Sequence, residues 1–174
     1  MVQSLSKEEK KQLQEWIGKG SKTFELLFSI SKDGCDSDTF HTLCNNKGPT
    51  VTVLYNTNDS VFGGYTSIAW TSRNRYYEDT SAFLFQLRFS GNPKANKFHH
   101  RNSKQSVYDG KSYGPYFGAG PDLLTFKKIV TSKDGCFFLN GKMKSSTYNM
   151  SVCGTEKINN DHMHVKELEV YQVQ

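Results

Sequence analysis

Thr50-Val51-Thr52-Val53-Leu54-Tyr55-Asn56 is the stretch on which the fold of this chain turns. Before it, apolar residues recur at helical spacing. From Thr50 the period is two, with Val51, Val53 and Tyr55 on one side and Thr52, Leu54 and Asn56 on the other, as in a strand with one strongly apolar face. Asn56-Thr57-Asn58-Asp59 supplies a hairpin turn, and Val61 to Trp70 reads as the returning strand. Gly63-Gly64 inside it marks a bulge or a close backbone approach. Phe83-Leu84-Phe85-Gln86-Leu87-Arg88-Phe89 alternates again, its phenylalanines on one face and Leu84, Gln86 and Arg88 on the other.

Downstream, Ser90 to Gly114 is the most polar part of the chain and reads as strand edges joined by long loops. Asp122 to Phe126, Cys136 to Leu139 and Tyr148 to Val152 read as further strands. Val165 to Val173 is the last strand, with one irregular step in its alternation. Upstream, Ser6 and Glu9 form a capping box, Leu13, Trp16 and Ile17 make the apolar stripe of a helix, and Gly18 and Gly20 stop it. Phe24 to Ile30 is a short apolar run that ends in the turn Ser31-Lys32-Asp33-Gly34. A second short helix follows, capped by Asp36 or Ser37, buried through Phe40, Leu43 and Cys44, and ended by Gly48-Pro49. Ser-Lys-Asp-Gly-Cys occurs twice, from Ser31 and from Ser132, but helix follows one copy and strand the other, so the same turn chemistry is used twice. The class is therefore α+β, mainly β: an antiparallel two-sheet β-sandwich flanked by short helices. Residues 1–20 form an amphipathic helix belonging to or packed on a single domain that runs over 21–174.

At 174 residues with 36% hydrophobic and 13% aromatic content, the chain is long enough to bury one core and too aromatic for a disordered polymer. No apolar run approaches the ~20 residues of a spanning helix. Met1 to Lys11 is polar and lacks the apolar core of a secretion signal, so a cytoplasmic protein is expected. Cys35, Cys44, Cys136 and Cys153 show neither Cys-x-x-Cys nor zinc spacing and read as reduced, buried thiols. The net charge of +5 is carried by dispersed lysine blocks with only four Arg. It admits nucleic acid or an anionic membrane as partner and argues for neither.

Chemistry-bearing motifs are sparse. Tyr113 to Asp122 holds a Gly-x-Gly turn that serves either as a phosphate cradle or as tight packing at a sheet corner, and no Gly-Lys-Ser/Thr follows, which removes a P-loop from this chain. His99-His100 and His162-x-His164, with His41, are too poor in companion ligands to predict a metal. Glu78 and Asp79 are neighbours along a strand and point to opposite faces. Cys35 and Cys136 beside their Asp-Gly turns are redox candidates if exposed, and inert if buried. Thus no catalytic set, metal or cofactor is expected. Loop aromatics and arginines are common interface anchors, which points to Arg73, Arg75, Tyr76, Tyr77, Tyr113, Tyr116 and Phe117 as a partner-binding surface, with core packing as the alternative.

Leu26-Leu27-Phe28-Ser29-Ile30-Ser31-Lys32-Asp33-Gly34, Phe40 to Cys44 and Gly48 to Val53 together resemble the opening of a TLDc domain. The resemblance continues through Val61 to Ser67, Trp70, Ala82 to Phe85 and Gly114 to Leu123, and closes at Lys166 to Tyr171, covering about residues 20–174. It implies a β-sandwich flanked by short helices and a non-catalytic interaction module. The implied roles lie in oxidative-stress protection, association with the vacuolar proton pump and innate immunity. Its placement is similar to the interferon-induced protein 44 branch, in which a TLDc module precedes a P-loop GTP-binding domain. Many TLDc proteins carry Gly-Glu before the Phe-Leu-Phe strand; Thr80-Ser81 stand there in this chain, with Glu78 and Asp79 just upstream.

Overall fold

The computed structural model describes residues 4–174. Met1, Val2 and Gln3 of the polar N-terminal stretch lie outside the described residues. Along the chain come helix α1 (Lys7–Ile17), strand β1 (Phe24–Ser29), the single turn α2 (Ile30–Asp33), β2 (Cys35–Asp36) and helix α3 (Ser37–Cys44). Then follow β3 (Thr50–Asn56), β4 (Val61–Thr66), β5 (Arg75–Tyr77), β6 (Phe83–Phe89) and β7 (Asn92–His99). The remainder is β8 (Val107–Asp109), β9 (Tyr116–Phe117), β10 (Leu123–Leu124), β11 (Ile129–Val130), β12 (Phe137–Phe138), β13 (Lys142–Met143), α4 (Glu156–Asn159) and β14 (His164–Val173).

Two antiparallel sheets packed face to face hold most of the strands, and β2 pairs with β11 in a separate antiparallel two-stranded ladder. The large sheet runs β1-β14-β3-β4-β6-β7 with β12 added to β14, and the small one runs β13-β10-β9-β8-β5. Leu54, Phe62, Leu84, Leu168 and Val170 of the large sheet meet Val107, Phe117 and Leu123 of the small one in the main core. Gly64 sits where the layers come closest: a Cβ there would stand 2.8 Å from the Phe117 ring. Close approach, the second of the two readings of Gly63-Gly64, is therefore what this position uses.

α1 begins as its sequence requires. The Glu9 amide donates to Ser6 Oγ at 3.1 Å, and the Ser6 amide donates back to Glu9 Oε1 at 2.8 Å. Gly18 ends it at φ +76°. Its apolar stripe covers the outer face of the large sheet, where Leu13 joins Val51, Val53, Tyr55, Tyr65, Phe83 and Phe85 in a second core. Trp16 meets Phe83 edge-on at 6.2 Å. β3 is consequently buried on both sides rather than one, which explains a strand apolar at Leu54 as well as at Val51 and Val53.

Three strand readings are corrected. The returning strand stops at Thr66, because the buried Asp79 carboxylate accepts from Thr66 Oγ1, the Ser67 amide and Ser67 Oγ, each at 2.7 Å. Trp70 then enters the core from a loop, its Nε1 donating to Thr50 Oγ1 at 3.0 Å. Tyr148 to Val152 is not a strand. The fully buried Asp122 carboxylate accepts from the amides of Ser146, Thr147 and Tyr148 at 2.7–3.0 Å, so the chain wraps around it, and Tyr148 makes only an isolated bridge to His100. Arg88 is not on the face of Leu84 and Gln86: register shifts at Val61/Phe62 and Gln86/Arg88 turn it toward α1, where it meets Glu9.

Candidate interaction face

Alternation in the short strands of the small sheet divides its residues cleanly. Val107 and Phe117 are partners across β8 and β9 and point into the core, while Tyr76 and Tyr108, partners across β5 and β8, point outward. Tyr116 of β9 and Tyr113 of the preceding loop complete an aromatic patch. Ring centroids lie 4.9 Å apart for Tyr76–Tyr108, 5.0 Å for Tyr108–Tyr116 and 5.4 Å for Tyr113–Tyr116. Edge-on and tilted contacts of this kind are the favoured arrangement of aromatic quadrupoles. All four side chains are half-buried, and the Tyr76 and Tyr116 hydroxyls approach to 3.5 Å. Burial, then the Tyr76 hydroxyl, pushes the Tyr116 phenol above its ordinary range, so it stays a neutral donor.

Buried polar groups behind the patch hold it in place. Asp109, 1% exposed, accepts from the amides of Thr71, Ser72 and Arg73 and from Thr71 Oγ1, closing the loop that leads into β5. His41 of α3 reaches the loop on the other side. Its Nε2 lies 2.8 Å from the Gly110 carbonyl and 2.9 Å from the Tyr113 carbonyl, so it donates to both. Gly110 is glycine for a steric reason: a Cβ there would press into the Tyr108 ring at 2.6 Å. His41 is thus a positioning group for the loop that presents Tyr113.

The residues singled out in the sequence divide accordingly. Tyr76, Tyr113 and Tyr116 come together in the patch. Arg73 and Arg75 are exposed, Arg75 lying 4.8 Å over the Tyr77 ring, and Tyr77 packs partly against the main core. Phe117 is fully buried against Trp70, with centroids 6.0 Å apart, and in this fold it anchors the core rather than meeting a partner. Tyr108, central to the patch, is not among the residues singled out in the sequence, although the in-out-in pattern of Val107-Tyr108-Asp109 carries the signal.

The other candidates are structural in their surroundings. Cys35 is 3% exposed and burial pushes its thiol up to about 12, which suppresses the thiolate that redox chemistry needs. Cys136 is half-buried beside the Gly135 turn. In the glycine-rich segment, the Gly118 amide donates to the Ser106 carbonyl at 2.9 Å and the Gly120 amide to Asp122 Oδ1 at 3.2 Å. Those donors serve the chain itself, so the segment is a packed corner and not an open phosphate cradle. Glu78 is exposed while Asp79 is buried. His162 and His164 stack at 4.8 Å, with His162 Nε2 2.6 Å from Asn58 Oδ1. Among the described residues, no group of three or more His, Cys, Asp or Glu is placed to hold a metal ion, and no helix is long and apolar enough to cross a membrane.

A two-layer antiparallel sandwich with the buried carboxylates of Asp79, Asp109 and Asp122 spent on loop closure and an aromatic patch on one face defines a β-rich scaffold. The chain belongs to the TLDc domain family, whose model matches residues 3–174 and so takes in α1. It is similar to MTOR-associated protein MEAK7 of Gallus gallus, 27% identical over 146 residues, covering 76% of this chain and 30% of the relative. It is also similar to MTOR-associated protein MEAK7 of Danio rerio, 30% identical over 67 residues, covering 38% of this chain and 15% of the relative. The chain therefore spans less than a third of the length of either.

Proposed function

We propose that this chain is a non-catalytic TLDc module that binds another protein through the face formed by Tyr76, Tyr108, Tyr113 and Tyr116, with Arg73, Arg75 and Tyr77 beside it. The observation that carries this reading is the tyrosine patch itself: four stiff amphipathic rings held half-exposed on a sheet. Tyrosine and arginine are enriched among residues that dominate binding energy, and such rings lose little rotamer entropy when covered. The name of the relatives makes an mTOR-containing complex the first partner to try. The TLDc resemblance adds the vacuolar proton pump, with a cytoplasmic role in oxidative-stress or innate-immune responses and a GTP-binding P-loop domain elsewhere in the parent protein. Of a thiol-based redox or hydrolytic enzyme using Cys35 or Cys136, the burial of Cys35 disfavours the version built on that thiol, while Cys136 is half-buried.

The test is direct binding of the purified chain to an mTOR complex and to the proton pump, by biolayer interferometry. Tyr108→Ala combined with Tyr116→Ala should weaken binding by roughly thirtyfold or more, the loss expected of a central anchor. Circular dichroism checks that the variant remains folded. Undiminished binding by the folded variant removes this face, and binding to neither complex removes both partners.

A further inference from the structure

On the opposite side of the sandwich, α1 and the edge strand β1 enclose a groove of about 450 Å³ whose lining is dominated by lysine. Lys7, Lys10 and Lys11 fall at i, i+3 and i+4 and so occupy one stripe of the helix, turned toward the chain at Lys22 and Phe24. The Lys22 amide donates to Gln14 Oε1 at 2.9 Å, closing the end of the groove. Among the described residues, the ion pairs are those of Arg88 with Glu9 and Asp59, so none of the four lysines has a carboxylate within pairing distance. Lys22 Nζ donates only to the Lys19 carbonyl at 3.0 Å. Glu169 lies beneath Lys10 but is buried against the sheet, where its Oε1 accepts from the Tyr171 hydroxyl at 2.8 Å; burial pushes its carboxyl upward, and its hydrogen bonds and the charge of Lys10 oppose this only in part. Glu8 lines a different depression, on the side of α1 toward Leu87 and Pro93.

An apolar component adjoins these charges. Leu26 is directly opposite Tyr171 and Phe24 opposite Val173 in the β1–β14 pairing, so both lie on the α1 side of the sheet. Leu26 is nonetheless 44% exposed. Four unpaired cations beside a protruding leucine and a half-buried phenylalanine match a surface of anionic phosphate headgroups overlying acyl chains. Lysine supplies charge without the planar fork that selects individual carboxylates in a peptide.

We infer that the α1–β1 groove is a docking site for anionic phospholipid headgroups at a membrane surface. Lys7, Lys10, Lys11 and Lys22 take the phosphates, and Leu26 enters the interface. In this orientation the tyrosine face points away from the membrane.

Flotation of the chain with phosphatidylcholine vesicles, with and without phosphatidylserine, tests this. Binding should require phosphatidylserine and decline as salt is added. Lys7→Ala with Lys11→Ala should weaken it about thirtyfold, from about fivefold per lysine near an anionic surface. Both residues are exposed, and an unchanged melting temperature shows that the fold is kept. Leu26→Ser should weaken vesicle binding while the salt dependence persists. Equal binding to neutral vesicles, no binding to phosphatidylserine at low salt, or full affinity in the double variant overturns the inference. So does binding of soluble glycerophosphoserine, or of polyglutamate, as tight as that of vesicles, since the site would then serve free phosphate or an acidic peptide.

Discussion

Replacing Glu9 tests whether α1 is an integral part of the fold. Its carboxylate, with the side chain 11% exposed, meets Arg88 Nε at 2.6 Å and Nη2 at 2.9 Å while accepting from the Ser6 amide. Glu9→Ala removes half of the capping box, worth about 1 kcal/mol. It also takes from the Arg88 guanidinium its nearest carboxylate in a largely buried place, where breaking such a pair costs about 3–5 kcal/mol. Arg88 keeps Asp59 at 3.5 Å and the Ser4 carbonyl at 2.8 Å, which lowers that second figure, so a loss of about 2–4 kcal/mol is expected. Glu9→Gln preserves shape and one acceptor and should cost about half as much. Burial raises the Glu9 carboxyl pKa, but Arg88 and the Ser6 amide together outweigh it and hold it below its ordinary 4.5. A lowered folded-state pKa means the contribution is complete above the unfolded value and disappears as pH falls through the folded one. The wild-type advantage over Glu9→Gln should therefore be full at neutral pH and shrink once Glu9 protonates. Urea denaturation followed by tryptophan fluorescence measures it, with Trp16 on the helix itself. A Glu9→Ala cost within about 0.5 kcal/mol, the range of ordinary surface changes, would refute the docking argument. A Gln difference that ignores pH would refute the ionic part.

Asp122→Ala should cost about 3–6 kcal/mol, because the amides of Gly120, Ser146, Thr147 and Tyr148 lose a buried acceptor, and urea unfolding of the variant checks the value. Gly64→Ala should destabilise by about 1–3 kcal/mol as its methyl meets Phe117 and Leu84, and a melting temperature equal to wild type would show that the sheets can part without penalty. Iodoacetamide at neutral pH should label Cys136 in the native protein well before Cys35 or Cys44, whose thiols burial pushes up to about 12. Mass mapping that finds Cys35 labelled first would reverse the assignment of that thiol as inert.

Local order in the sequence decided the elements whose interactions are themselves local. The capping box of α1, the Asp36 cap of α3, the Asn56–Asp59 hairpin and the alternation of β3, β6 and β14 involve residues a few positions apart or a simple period of two. Ordered segments matching the TLDc pattern extended this to the whole sandwich. Where the sequence misled, a distant carboxylate or a second layer intervened. Asp79 ended β4, Asp122 wrapped Ser146 to Tyr148 around itself, and paired register shifts carried Arg88 to α1. A buried ionised oxygen attracts whatever amides the fold brings near, and those partners are set by topology rather than by spacing. The same holds for the surfaces. Aromatic content near Tyr113 was visible, but only the pairing of β5, β8 and β9 sent Phe117 inward and joined Tyr108 to Tyr76 and Tyr116 outside. The lysines of α1 became a groove only when β1 was laid beside the helix, since the chain alone does not say which strand borders a helix face.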